Sequence, residues 1–205
     1  MVIKDFNKKL DLMIKDAKCE LNYNRDYELV IATVLSAQCT DKRVNEVTKV
    51  LFSNYDIYGL AEADKKDIER IIRSCGSYTK KSGYIIDIAK SLVENYNGVV
   101  PNDREYLESL PGVGRKTANV VLSNLYDVPC IAVDTHVSRV SKRLGIARKN
   151  DDVLVIEKKL NKKFPKNKLN RLHHQLVLFG RYYCKAKNPN CVNCKLKEIC
   201  KEKSQ

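Results

Sequence analysis

Apolar residues recur at intervals of three and four along nearly the whole chain, a spacing that belongs to helices. Ile85, Ile88, Ala89, Leu92, Val93 and Tyr96 form one such stripe, with Gly98 placed to end the helix and Pro101 just beyond it. Val44, Val47, Val50 and Leu51 form a second behind a Thr40-Asp41 start signal. Asp64 can cap a helix burying Ile68, Ile71 and Ile72, and Asn102 with Glu105 has the spacing of a capping box that opens a short helix into Leu110. Ala118, Val121, Leu122 and Leu125 supply the buried face of the next helix. Asp134 can cap another holding Val137, Val140 and Leu144, and two more fit 152–164 and 168–180. No turn signal joins alternating strands, and 128-VPCIAV-133 is the one plausible extended run. The expectation is an all-α protein of about ten helices with short connections.

With 205 residues the chain can bury a real core in one domain or two small ones. No apolar run approaches the ~20 residues of a membrane helix. The N-terminus MVIKDFNKKLDLMIKD has neither the apolar stretch nor the cleavage site of a secretory signal. A cytoplasmic location is therefore expected, in which disulfides among the eight cysteines are not. The net charge of +13 is unevenly placed: residues 1–138 carry 19 Lys/Arg against 20 Asp/Glu, whereas 139–205 carry 19 against 5. All the excess positive charge lies in the last third, which points to a polyanionic partner or to a solvated lysine-rich face. A membrane surface fits less well, because that third lacks an amphipathic segment with Trp or Phe anchors.

Cys184, Cys191, Cys194 and Cys200 follow the spacing C-x6-C-x2-C-x5-C within 17 residues. Four thiols so close in an intracellular chain are metal ligands, for zinc or for an iron–sulfur cluster. A single C-x2-C pair flanked by unequal spacers tilts the choice to a cubane cluster, and seven cations between Arg181 and Lys203 would offset its negative charge. Cys19, Cys39, Cys75 and Cys130 stand singly and read as ordinary structural cysteines.

The stretch 110-LPGVGRKTANVV-121 turns one helix into another. Gly112 and Gly114 permit turn conformations closed to other residues and let another backbone come close. The N–H groups of the hairpin and of the following helical turn then form a phosphate site. Lys116 stands near that helix N-terminus and beside Arg115, both of which disfavour the ammonium form, and partial burial would act in the same direction. Such an amine can attack an aldehyde-like carbon and form a Schiff base, although a lysine contacting phosphate is the simpler reading. Asp134, in 132-AVDTHVSRV-140, caps the helix after it, and its carboxylate stays ionised. An ionised carboxylate with a nucleophilic lysine is the pair needed to cut an N-glycosidic bond.

At these residues the chain resembles the endonuclease III family of helix–hairpin–helix DNA glycosylases with attached lyase activity. The segments 35-LSAQCTD-41, 94-ENYNGVVP-101, 110-LPGVGRKTANVVL-122, 133-VDTHVSRV-140 and the four-cysteine tail occur in family order, from about residue 5 to 202. The resemblance implies two helical lobes: a six-helix lobe at 19–128 carrying the hairpin, and a second made of 1–18 with 129–205. The second would hold a [4Fe–4S] cluster on Cys184, Cys191, Cys194 and Cys200. It also implies damaged double-stranded DNA as the partner, bound by a monomer associated with the nucleoid, with no membrane and no small-molecule substrate. Lys116 and Asp134 would face one another as catalytic residues across the cleft between the lobes. Gln38 would fill the gap left by a flipped nucleotide. Leu110, Gly112, Val113, Gly114 and Arg115 would bind DNA through the hairpin, with His136 and Glu108 near the active site. The implied substrates are oxidised or ring-saturated pyrimidines and abasic sites, processed in base excision repair by β-elimination through a Lys116 Schiff base.

The sequence departs from the family at 76-GSY-78, where a bulky apolar wedge is usual. Ser77 is too small and polar to open a base stack, so either Tyr78 replaces it or Gln38 takes more of the work. Two rivals remain: a monofunctional mismatch glycosylase, which would lack Lys116, and a non-catalytic DNA-binding module, which would use the same basic surface and hairpin but would not need Asp134 and Lys116 together.

Overall fold

The computed structural model describes residues 3–202, and they divide into two compact units, one of Glu20–Tyr126 and one combining the residues up to Cys19 with those from Asp127 on. Among the described residues the regular structure is helical throughout: eleven α-helices and two short 3-10 turns, with 128–133 in no helix or strand. No helix there is long and apolar enough to cross a membrane.

The Glu20–Tyr126 unit is built around α2 (Asp26–Leu35), in which every residue from Tyr27 to Leu35 is buried. A helix buried on all sides must be enclosed by others, and α3 (Asp41–Asn54), α6 (Tyr78–Tyr96) and α8 (Arg115–Tyr126) pack on it. The short α4 (Ile57–Ala61) and α5 (Lys65–Ile72) pack on α6, and α7 (Arg104–Ser109) leads into the hairpin. These are seven helical segments, counting the single turn of α4.

Local capping chemistry sets most helix starts here. Thr40, Asp56 and Asp64 each accept a backbone N–H of the following turn. At α7 the cap is Asp103, whose Oδ1 accepts Tyr106 N–H at 3.1 Å, and not Asn102. Val50 is 49% exposed: the buried face of α3 runs through Val44, Val47 and Leu51, and Val50 falls beside it. Ile71, Val93, Tyr96 and Leu125 are half-buried at the edges of their stripes. Gly98 does end α6, with Asn97 and Gly98 both left-handed and Gly98 N–H donating to Leu92 O at 2.9 Å.

The other unit comprises α1 (Ile3–Met13), α9 (Thr135–Arg143), α10 (Val153–Lys163), a 3-10 turn at Lys166–Lys168, α11 (Leu169–Tyr182) and a second at Lys197–Ile199. Phe6 and Leu10 of α1 are buried with Val137, Val140, Leu160 and Phe179, which joins the start of the chain to its last third. Polar contacts repeat the link: Asp11 Oδ1 accepts Arg171 Nη2 at 2.9 Å and Gln175 Nε2 at 2.7 Å. Helices α9 and α11 cross closely because residue 180 is glycine. A Cβ there would lie 2.9 Å from His136 Cβ and 3.2 Å from Val140 Cγ2.

Candidate active site and metal centre

In the Glu20–Tyr126 unit the hairpin Leu110–Gly114 joins α7 to α8. Gly112 has φ +78°, and a Cβ on it would meet Tyr84 Cδ2 at 2.7 Å and Val34 Cγ1 at 3.3 Å, so turn and packing both demand glycine. Gly114 differs from the expectation: its φ is not left-handed, and a Cβ there would stand in open space. Nothing within the fold requires it to be glycine. Leu110 and Val113 point inward, 4% and 3% exposed, and their N–H groups donate to Leu107 O and Leu110 O. Their contribution is to hold the turn's shape, because both the side chains and the N–H groups are engaged internally.

Arg115 and Lys116 open α8, and both are exposed. Lys116 is thus not partly buried: it lies on the outer face of the first turn of α8, while Ala118 in that turn packs inward. Glu108 sits exposed on α7 in an ion pair with Arg104 at 3.1 Å.

Gln38 is exposed and left-handed (φ 59°), as is Ser77 (φ 57°). The two loops meet: a Cβ on Gly76 would lie 3.4 Å from Gln38 O. Non-glycine residues held in this region are strained, and such strain gathers at functional sites. Beneath them lies a residue that sequence reasoning passed over. Lys81 is 4% exposed, and its Nζ donates to Leu35 O at 3.0 Å and Ala37 O at 2.6 Å, holding the end of α2 just before Gln38. Burial lowers its proton affinity from the usual lysine value. Nothing in the local pattern marks it, because its partners lie more than forty residues earlier in the chain. The reading of Cys39 and Cys75 as single cysteines is also corrected, since their sulfurs lie 3.6 Å apart.

Asp134 belongs to the other unit. It caps α9, with Oδ1 accepting Val137 N–H at 2.7 Å, and is half-buried. One turn on, Arg139 Nη2 lies 3.1 Å from His136 Nδ1. A guanidinium only donates, so Nδ1 accepts and the ring presents an Nε2–H donor. Arg139 also donates to Gly180 O at 2.7 Å and Cys184 O at 3.0 Å, tying α9 to the start of the cysteine loop. Arg143 extends the link, with Nη1 2.7 Å from Lys185 O and 3.5 Å from Cys184 Sγ, and Nε paired with Glu202 at 2.5 Å. Neither arginine stood out in the sequence, because their partners are backbone carbonyls some forty residues away.

Cys184, Cys191, Cys194 and Cys200 line one cavity of about 540 Å³ with Arg143 and Phe179. Among the described residues no three His, Cys, Asp or Glu side chains converge as closely as a single metal ion needs. Burial pushes the Cys194 and Cys200 thiols up, and the neighbouring sulfurs push the same way, so four thiolates here need a cationic centre to coexist. Four cysteine sulfurs lining one cavity fit a thiolate-held metal centre. Lys203, last of the seven cations, lies outside the described residues.

Comparison with known proteins agrees with this fold. Residues 31–166 match the HhH-GPD superfamily of base excision DNA repair proteins. Endonuclease III of Bacillus subtilis (strain 168) is 49% identical over 195 residues, covering 95% of this chain and 89% of that protein. Endonuclease III of Escherichia coli (strain K12) is 42% identical over 187 residues, covering 91% and 88%. A solved structure of a trapped endonuclease III–DNA covalent intermediate, an estranged-adenine complex, superposes with a TM-score of 0.93 at 49% identity, covering 98% of this chain and 94% of that one. A thermostable thymine-DNA glycosylase shares the fold, with a TM-score of 0.82 at 20% identity. The chain belongs to the endonuclease III family of the HhH-GPD superfamily of base excision DNA repair proteins.

Proposed function

We propose that the chain is a bifunctional DNA glycosylase and abasic-site lyase, acting on oxidised or ring-saturated pyrimidines in double-stranded DNA, with Lys116 as nucleophile and Asp134 as its carboxylate partner. The observation that carries the reading is an exposed lysine opening the helix after the hairpin, in a chain 49% identical to an endonuclease III caught covalently on DNA.

The target nucleotide leaves the stack at an unstacking cost of a few kcal/mol, which damage reduces. Lys116 Nζ bonds to C1′ as the glycosidic C–N bond breaks and the base departs with the bonding electrons. Asp134 stabilises the positive charge developing on the sugar, and the capping bond to Val137 N–H fixes its carboxylate. Opening of the sugar ring makes the Schiff base. Loss of a C2′ proton then expels the 3′ phosphate oxygen, and water frees Lys116. Because Lys116 is exposed in the free protein, dehydration of its amine falls to the bound duplex.

Two features support backbone phosphates at the hairpin. Gly114 is glycine without an internal reason, which suits close approach from outside, and the first turn of α8 is the positive end of its helix dipole. Gln38 and the 76–78 loop form the surface proposed to enter the opened base pair, while His136 offers a further donor to DNA. Cys184, Cys191, Cys194 and Cys200 would hold a [4Fe–4S] cluster, which supplies a rigid knot for a basic loop and no step of the cleavage.

Borohydride trapping tests the reading. A duplex carrying thymine glycol or an abasic site should give a covalent adduct with the protein, lost in Lys116→Ala. No adduct, or an adduct that survives the substitution, overturns the assignment. For the cluster, a brown protein with a broad visible band is expected; a colourless one with stoichiometric zinc after anaerobic purification refutes it.

A further inference from the structure

We propose that Cys39 and Cys75 form an oxidisable dithiol whose closure to a disulfide ties the Gln38 loop to the 76–78 loop. The functional consequence rests on the reading of those loops given above; the chemistry of the pair does not.

The two sulfurs are 3.6 Å apart, at van der Waals contact, although the residues are 36 positions apart in the chain. A disulfide needs about 2.05 Å, so closure takes modest side-chain and loop movement. Each cysteine adjoins a strained position: Cys39 follows left-handed Gln38, and Cys75 stands two residues before left-handed Ser77. A covalent bond here would therefore act on the backbone of both loops.

The pair is asymmetric. Cys39 is partly exposed and meets an oxidant first, whereas Cys75 is 1% exposed. Burial pushes the Cys75 thiol up to about 11, which leaves it protonated until a partner sulfur is activated. Lys81 and Arg43 place positive charge near Cys75, which favours the thiolate as it attacks.

The oxidant is a peroxide. Cys39 sulfur attacks hydrogen peroxide, the O–O bond breaks, and water leaves as Cys39 becomes a sulfenic acid. Cys75 sulfur then displaces the sulfenic oxygen: an S–S bond forms, the S–O bond breaks, and the Cys75 proton departs with that oxygen as a second water. Two thiols and one peroxide become one disulfide and two waters.

The test treats the holoprotein with equimolar hydrogen peroxide, blocks remaining thiols, digests it and analyses the peptides by mass spectrometry. The visible band is followed in parallel, to show that the four tail cysteines are undisturbed. The expected result is a cross-linked peptide joining Cys39 to Cys75, the loss of two free thiols and full reversal by dithiothreitol. Cys75→Ser and Cys75→Ala should instead leave Cys39 as a sulfenic acid trapped by dimedone. Trapping on a lesion duplex should fall in the oxidised wild type, recover with reductant and stay peroxide-insensitive in both variants. Cys39 and Cys75 recovered as free thiols under conditions that oxidise Cys39 in the variants would overturn the proposal. So would Cys39 joined to a tail cysteine, or a cross-linked protein with unchanged trapping. The cross-link is read without DNA, so its failure is distinguishable from failure of the glycosylase reading.

Discussion

Asp134 has two roles, helix cap and charged partner of the reacting sugar, and a pair of substitutions separates them. As the cap of α9 it accepts Val137 N–H at 2.7 Å, and Asn at the same position can accept that bond equally well. Asp134→Asn therefore loses only the favourable meeting of a negative charge with the helix N-terminus, about 0.3–1 kcal/mol. Asp134→Ala loses that and the cap itself, about 1 kcal/mol more. For a chain of this length each kcal/mol lowers Tm by roughly 2–4 °C. The Asn variant should melt within about 4 °C of wild type, and the Ala variant roughly 3–8 °C below it. Activity should not follow that order. If the carboxylate stabilises charge on the sugar, both variants lose it, and single-turnover base release from a thymine glycol duplex should fall about 10²–10³-fold in each. Calorimetry and a quenched-flow excision assay on the same preparations read both quantities. An Asn variant within threefold of wild-type activity, or losses that scale with Tm, would refute a chemical role for the charge and leave Asp134 a cap.

Lys81→Met should remove two hydrogen bonds from a charged donor, each worth about 1.5–3 kcal/mol, while sparing the cost of burying an ammonium. A net loss of about 2 kcal/mol in denaturant melts is expected, with lesion excision falling more than abasic-site cleavage because the Gln38 loop is released. Equal loss of both activities would argue against that positioning role. In the other unit, burial holds His174 down from 6.5 to about 4. The unfolded chain takes up that proton first, so stability is complete above pH 6.5 and falls as the pH drops towards 4. Between pH 7.5 and 5.5 the loss attributable to this ring is about 1 kcal/mol, or roughly 2–4 °C in Tm. His174→Leu should flatten that slope, and an unchanged slope would refute the assignment.

The family segments that carry the resemblance are runs of neighbouring residues, and so were readable without coordinates. The same holds for the glycine that ends α6 and for the caps at Thr40, Asp64 and Asp134, where donor and acceptor lie within a few positions of each other. Asn102 was the wrong choice of cap because Asp103 stands beside it with an equally short side chain, and only the direction of chain entry decides which one reaches the helix. Val50 was misjudged for a related reason. Three-and-four spacing defines a stripe, but its width depends on the neighbours that cover it.

What the sequence determined by itself was therefore the helical class, most helix starts, the family and the four-cysteine tail, each set by interactions between residues close along the chain. The meeting of Cys39 with Cys75, the burial of Lys81 beneath Gln38, and the grip of Arg139 and Arg143 on the cysteine loop were decided by tertiary structure alone. Those contacts join residues some forty positions apart, and their partners are mostly backbone carbonyls, which every residue carries and no sequence pattern distinguishes.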